Sequence, residues 1–445
     1  MKLEIRTIIL KNMEEVKQEE ERKVKCLLVG APDKKNGNPE PKELIGLVHT
    51  LDMEVAGTVV LVRIEPTPTY GLGTGKAQEI VDKAHELFAE CIIFDWEIDP
   101  SKQRNWEKLA NMSVFDRNEV IIRIFASRAQ TKEANLQVEL ARLIYSLPRL
   151  NHMYGDMARQ RGGAFGNKGS GETQLELDRR QIEDKIVQIK KELEQVSINR
   201  EVQRKQRERN SILSCALVGY TNAGKSSLLN ALTGSDVFVE NKLFATLDPT
   251  TRKLKLSEAS EILITDTVGF ISNLPHTLID AFKSTLEETA MATYLLVVVD
   301  SSDPDCGKQY EQVEKVLKEI KADSIPRKVL LNKFDVIKDD PVQVARVKSL
   351  FPDSLEVSAK THAGFEDVIK LLTENLLGCQ RKYSIPMEQS NLVELARKNG
   401  TIEEEQWLEN SVELVARIPG AYDENGNATT RTLGLLKKFE VNNEN

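Results

Sequence analysis

One stretch of eight residues, Gly219-Tyr-Thr-Asn-Ala-Gly-Lys-Ser226, limits what this chain can fold into more than any other. An apolar β-type run at 212–218 precedes it, and a helix-forming run at 227–232 follows. Strand, glycine loop with the spacing G-x-x-x-x-G-K-S, then helix is the pattern of a phosphate-binding loop. Gly219 and Gly224 let the backbone turn tightly, so the successive N–H groups of Tyr220, Thr221, Asn222 and Ala223 face phosphate oxygens. The helix N-terminus adds its positive dipole end. Lys225 is placed to reach the β- and γ-phosphates, and the Ser226 hydroxyl to ligate Mg²⁺. A ligand-free glycine turn is the competing account, and the flanking strand and helix weigh against it.

At 445 residues the chain is too long for one core and implies about three domains. Its 40% hydrophobic and 29% charged residues are those of an ordinary globular protein. The formal net charge of −8 gives no global basic signature, so any nucleic-acid contact has to come from a local patch. The five cysteines, at 26, 91, 215, 306 and 379, contain no C-x-x-C pair. Cys26, Cys91 and Cys215 sit in apolar runs and read as small buried hydrophobes, which suits a reducing compartment. The first residues carry no signal-peptide pattern and no apolar run approaches a membrane span, so a cytoplasmic monomer is expected.

In the first segment, 1–128, apolar strands at 26–30, 58–64 and 91–94 alternate with helices at 42–55 and 76–90. That alternation predicts a small α/β domain on a parallel sheet. It also holds a decoy, Gly71-Leu-Gly-Thr-Gly-Lys76. Tyr70 stands where a phosphate loop needs its first glycine, and Ala77 where it needs the Mg²⁺-binding hydroxyl. A glycine turn into a helix is the favoured reading, with an anion site for RNA phosphate as the alternative.

Segment 129–210 is helical. Leu136, Leu140, Leu143, Ile144 and Leu147 recur at helical spacing, and Pro148 predicts a kink. Ile182, Ile186, Ile189, Leu193 and Val196 follow at a heptad-like spacing. Two such helices around one loop predict an antiparallel hairpin. The loop, 155–171, holds six glycines together with Arg159, Arg161 and Lys168. A basic, backbone-exposed tip of that kind suits a phosphate-rich RNA cleft, and these three are the candidate RNA contacts.

Segment 211–380 carries the remaining elements of a guanine-nucleotide switch, in order. Phe244-Ala-Thr-Leu-Asp248 lies in a loop where a first switch belongs, and Thr246, Thr250 and Thr251 all compete to complete the Mg²⁺ shell. Asp266-Thr-Val-Gly269 ends a strand, with Asp266 placed to hold Mg²⁺ through water and the Gly269 N–H to touch the γ-phosphate. Asn332-Lys-Phe-Asp335 ends another strand. The Asp335 carboxylate is acceptor-only and can take two N–H donors from a guanine edge, a pair adenine lacks. Ser358-Ala-Lys360 supplies the second base loop. Together these predict a GTPase domain. Segment 381–445 reads as a small α+β domain with a disordered tail at 442–445. The fold class is therefore α/β, with a mostly parallel sheet flanked by helices between a smaller α/β domain plus hairpin and an α+β end.

Several long runs then coincide. Asp266-Thr-Val-Gly-Phe-Ile-Ser-Asn-Leu-Pro-His-Thr-Leu-Ile-Asp-Ala-Phe-Lys-Ser-Thr-Leu-Glu-Glu288 resembles the second-switch region of the HflX GTPases. So do Gly171-Glu-Thr-Gln-Leu-Glu-Leu-Asp-Arg-Arg180, Gln103-Arg-Asn and Leu147-Pro-Arg-Leu150. The resemblance covers about residues 24–418. It implies a GTPase that binds the large ribosomal subunit and splits or rescues stalled ribosomes, or acts in ribosome biogenesis. It also assigns the Mg²⁺ threonine to Thr246, so Lys225, Thr246 and Gly269 are the expected catalytic residues. Gly169-Ser-Gly171 departs from the family's usual Gly-Pro-Gly.

The residue after Asp-x-x-Gly, a water-orienting glutamine in Ras-like switches, is Phe270 here, so slow intrinsic hydrolysis stimulated by the ribosome is expected. An ATP- or GTP-driven RNA remodelling enzyme is the alternative, and its support is the decoy loop.

Overall fold

The computed structural model describes residues 23–30, 40–63, 67–160, 170–209, 213–235, 242–257, 260–272, 289–420 and 428–441. The chain divides into two compact units, Met1–Glu192 and Leu193–Asn445.

In the first unit, β1 (Lys25–Gly30), β2 (Glu54–Val60), β3 (Cys91–Phe94) and β4 (Ser113–Asp116) form a parallel sheet in the order β2-β1-β3-β4. Helices α1 (Lys42–Thr50), α2 (Thr74–Glu86), α3 (Pro100–Ala110) and α4 (Arg117–Arg128) alternate with them. A strand covered on both faces has to be apolar throughout. Leu27, Leu28 and Val29 on β1 and Ile92, Ile93 and Phe94 on β3 are accordingly all buried. The sequence placed the start of β2 too late and the end of α1 too far on. Asp52, at φ 58°, turns the chain between them, and Glu54 is already in register with Lys25.

Helix α5 (Lys132–Gln160) continues through Pro148. Arg149, the next residue, donates to the carbonyls of Tyr145 (2.9 Å) and Ile98 (3.1 Å), so tertiary bonds hold the turn that proline weakens. Helix α6 spans Ser170–Arg209. The ion pairs Lys132–Glu192 (3.9 Å) and Lys185–Glu139 align α5 and α6 antiparallel, as the hairpin reading requires. Ile189 is buried, and Ile182, Ile186, Leu193 and Val196 are half-buried along the expected seam.

The second unit is built on β5 (Ser214–Gly219), β6 (Thr250–Ser257), β7 (Ser260–Asp266), β8 (Tyr294–Asp300), β9 (Arg327–Asn332) and β10 (Ser354–Glu356). Their order is β10-β9-β8-β5-β7-β6, parallel except that β6 runs against β7. Helices α7 (Lys225–Thr233), α8 (Cys306–Glu319), α9 (Phe334–Ile337), α10 (Pro341–Leu350) and α11 (Phe365–Leu372) connect the strands. Two apolar clusters fill this domain, one containing Leu217, Leu228 and Ile264, the other Val218, Leu295 and Leu331. The loops after β5, β7, β9 and β10 leave the C-terminal ends of parallel strands, where open α/β sheets take ligands, and the 244–248 loop enters antiparallel β6, whose first residue, Thr250, pairs with Asp266 at the end of β7.

The same unit ends in β11 (Gln380–Pro386), α12 (Asn391–Asn399), β12 (Thr401–Trp407), β13 (Ser411–Arg417) and α13 (Arg431–Leu436). Its antiparallel sheet, β11-β13-β12, packs Tyr383, Ile385, Val412 and Leu414 against Val393 and Leu433. Cys26, Cys91 and Cys215 are buried as expected; Cys306 is buried too, and Cys379 is exposed.

Candidate nucleotide-binding site

The glycine loop lies between β5 and α7, with Gly224 at φ 91°. A Cβ on Gly224 would stand 2.3 Å from Asn332 Nδ2, so the position needs glycine for space as well as for conformation. The closeness has a purpose. Asn332 Nδ2 donates to Ala223 O (2.8 Å) while its Oδ1 accepts from Ala359 N (3.1 Å), so one amide joins the glycine loop to the Ser-Ala-Lys loop. Lys333 Nζ donates to Asn222 O (3.0 Å) and pairs with Asp300 (2.7 Å).

Asp335 Oδ1 accepts from Ser358 Oγ (2.7 Å), and Phe334 N donates to Val357 O (3.2 Å). Phe334, Asp335 and Ser358 line one hollow; Lys360 is exposed and is not among its lining residues. The second cleft is lined by Thr221, Asn222, Gly224, Lys225, Ser226, Phe244, Ala245, Thr246, Thr267 and Gly269. Leu247 turns inward and is buried, and neither it nor half-buried Asp248 is among that cleft's lining residues.

Three oxygens converge in this cleft. Asp266 Oδ2 accepts from Ser226 Oγ (2.6 Å) and Thr246 Oγ1 (2.8 Å), and the two hydroxyls are 2.8 Å apart. Of the three threonines Thr246, Thr250 and Thr251, Thr246 is the one among the cleft's lining residues. Thr251 Oγ1 is spent on Thr265 Oγ1 (2.9 Å) across the β6–β7 ladder, and Thr250 lies in that ladder opposite Asp266. Asp266 is fully buried, and its other oxygen, Oδ1, has no hydrogen-bond partner. Burial raises its carboxyl pKa, opposed by Lys225 and by hydrogen bonds from Ser226, Thr246 and the Thr267 backbone. Burial likewise pushes Lys225 down to about 8, with Asp266 opposing. Lys225 Nζ donates to Gly219 O (3.2 Å) and Tyr220 O (3.0 Å). A desolvated cation, two hydroxyls and a carboxylate with an open oxygen suit an anionic ligand with a hard divalent ion.

The stretch after Asp266 is sewn to the glycine loop. Thr267 Oγ1 donates to Leu217 O (2.7 Å), Phe270 N to Gly219 O (3.1 Å), and Thr221 N to Phe270 O (2.7 Å). Gly269 consequently sits so close that a Cβ would be 2.9 Å from Thr221 Cα and 3.1 Å from Lys225 Nζ. Val268 beside it is buried. Phe270 is 1% exposed and packs with Ala216, Val218 and Leu295, so it is a core residue.

Two contacts escaped the sequence reading. Tyr220 OH is 2.6 Å from Ser272 Oγ and accepts from Ser272 N (2.7 Å). Asp300 orients Lys333, and its signal was available: like Asp266, it is a carboxylate ending a buried apolar strand.

The decoy is a turn. Thr67 Oγ1 donates to Leu72 O (2.7 Å), Trp106 Nε1 to Tyr70 O (3.0 Å), and Lys76 pairs with Glu79 (2.6 Å) on the exposed face of α2. Gln103 and Arg149, from two of the family-like runs, form a joint instead. Arg149 bonds Gln103 Oε1 (2.9 Å) and Asp116 Oδ2 (3.1 Å) and stacks on Tyr145. Arg159 lies in the last turn of α5. Arg161, Lys168, residues 273–288 of the long family-like run and residues 442–445 lie outside the described residues. Among the described residues no helix is long and apolar enough to cross a membrane.

Comparison with known proteins agrees over nearly the whole chain. Residues 39–126 match the family model for the GTP-binding GTPase N-terminal region, 128–207 that for the GTP-binding GTPase middle region, and 214–333 that for a 50S ribosome-binding GTPase. GTPase HflX of Akkermansia muciniphila is 41% identical over 392 residues, 85% of this chain and 90% of that protein. GTPase HflX of Escherichia coli K12 is 40% identical over 382 residues, 85% and 89%. A crystal structure of a GTP-binding protein from Sulfolobus solfataricus in complex with GDP is 24% identical, covering 79% of this chain and 98% of that one, at a TM-score of 0.44.

Proposed function

The chain belongs to the HflX family of GTPases, enzymes that convert GTP and water to GDP and phosphate, and from that premise we propose that it is a Mg²⁺-dependent switch whose GTP state docks on the large ribosomal subunit. The observation that carries the metal reading is the convergence of Ser226, Thr246 and Asp266 around an unpartnered carboxylate oxygen. Ser226 and Thr246 are the direct ligands in this reading, with Asp266 acting through water. Bound Mg²⁺ would neutralise charge between the β- and γ-phosphates. The backbone from Gly219 to Ser226 and the Lys225 ammonium hold the phosphates, and the Gly269 N–H senses the γ-phosphate. Asn332, Lys333, Asp335, Ser358, Ala359 and Lys360 hold the base, with Asp335 selecting guanine through two N–H donors.

The ribosomal partner rests on the 50S ribosome-binding description of the model matching 214–333 and on the basic residues of the hairpin tip. The proposed work is the splitting or rescue of stalled ribosomes by a cytoplasmic monomer. Co-sedimentation with purified ribosomal subunits in GTP, GDP and a non-hydrolysable analogue tests it. Retention on the large subunit with GTP and the analogue but not GDP is expected; equal retention in all three, or none, overturns it.

A further inference from the structure

With Phe270 packed in the core, the glutamine position of a Ras-like switch supplies nothing to hold the attacking water. Among the described threonines lining the cleft, Thr221 has a hydroxyl left for that task. Thr221 is 6% exposed and lines the cleft with Lys225, Ser226, Thr246 and Gly269. Its Oγ1 is buried and has no hydrogen-bond partner, whereas the cleft's other threonines are engaged: Thr246 on Ser226 and Asp266, Thr267 on Leu217 O. A buried hydroxyl left unpaired carries a desolvation cost, and such groups gather where a ligand completes them. Thr221 also adjoins Gly269: a Cβ on Gly269 would stand 2.9 Å from both Thr221 Cα and Cγ2.

We propose that the Thr221 hydroxyl orients the water that attacks the γ-phosphate of GTP. This rests on the nucleotide placement proposed above. The hydroxyl accepts one hydrogen of the water, which turns a water lone pair toward the γ-phosphorus. The bond from water oxygen to phosphorus forms as the bond from phosphorus to the β–γ bridging oxygen breaks, and that electron pair stays on the β-phosphate of GDP. The proton released by the water goes to a γ-phosphate oxygen. Threonine is too weak a base to take it, so Thr221 is a water-orienting group and not a general base.

The test compares Thr221→Val, which keeps the shape and removes the hydroxyl, with Thr221→Ser, which restores it. Single-turnover GTP hydrolysis and affinity for a non-hydrolysable GTP analogue are measured in Mg²⁺ for both variants and the unaltered protein. Thr221→Val is expected to slow hydrolysis by about tenfold or more with analogue affinity unchanged. Thr221→Ser is expected to recover most of the rate. Equal hydrolysis by the Val variant overturns the assignment. So does a loss of analogue affinity that parallels the loss of rate, because Thr221 would then only shape the loop. Absence of analogue binding in the unaltered protein would refute the nucleotide site itself, a separate result.

Discussion

Asp335 shows how far one side chain can decide chemistry. Its Oδ1 is committed to Ser358 Oγ, which fixes the carboxylate plane in the hollow it shares with Phe334. Asp335→Asn exchanges an acceptor for a donor at that place. Affinity should move from GTP to xanthosine triphosphate, a change read by competition binding; unaltered GTP preference would refute the base assignment. Ser226 carries a parallel prediction. Ser226→Ala removes a hydroxyl 2.6 Å from Asp266 and should abolish the Mg²⁺ dependence of nucleotide binding, as titration with EDTA would reveal. Lys76→Ala, in the glycine turn, should leave GTP binding as it was, since Lys76 is occupied with Glu79 on an exposed face. A comparable loss from both variants would return the turn to consideration as a nucleotide loop.

A buried joint ties α5 to the strands of the first unit. Asp116 accepts from Tyr145 (3.0 Å), Ile98 N (3.2 Å), Glu119 N (2.9 Å) and Arg149, and it is 1% exposed. Removing the Arg149 guanidinium leaves that buried carboxylate short of its charge partner, so Arg149→Ala should destabilise the unit by about 3 kcal/mol. Gln103→Ala, which removes a neutral hydrogen-bonding partner, should cost about 1 kcal/mol. Urea unfolding followed by the fluorescence of Trp96 and Trp106 measures both. Equal, small effects would mean the joint is only a surface contact. The same bonds explain the continuity of α5 through Pro148, since a helix tied on both sides of a proline has no freedom to open there.

Across the whole molecule, the basic residues of the 155–171 segment can be separated from the nucleotide site by mutation. Arg159, Arg161 and Lys168 are far in sequence from every nucleotide loop, so changing all three to Ala should leave free GTP affinity intact. Binding to the large subunit should weaken, and the salt dependence of what remains should be shallower by up to about one log–log unit per phosphate contact removed. Co-sedimentation across a salt series tests this, and superimposable curves for the two proteins would move the search for RNA contacts elsewhere.

The order of elements, the strand-end placement of the 332–335 and 358–360 loops and the apolar strands were all legible in the sequence, because each depends on local spacing. A G-x-x-x-x-G-K-S loop needs only its flanking strand and helix to be recognised, and a parallel strand buried on both faces is apolar along its whole length. The heptad-like seam from Ile182 to Val196 was legible for the same reason, being a periodicity. What the chain alone left open were choices among chemically equal residues. Thr246, Thr250 and Thr251 share one functional group, and only the antiparallel pairing of β6 with β7 withdraws two of them from the cleft. Phe270 could have faced solvent or core; the backbone bridge to Tyr220 turns it into the core. The end of α1 was misread because a bond to a distant residue, Glu54 N to Val24 O, outweighed a local preference. Such bonds can join partners far apart in the chain, as Asn332 joins Ala223 across 109 positions, and no local spacing encodes a meeting at that range.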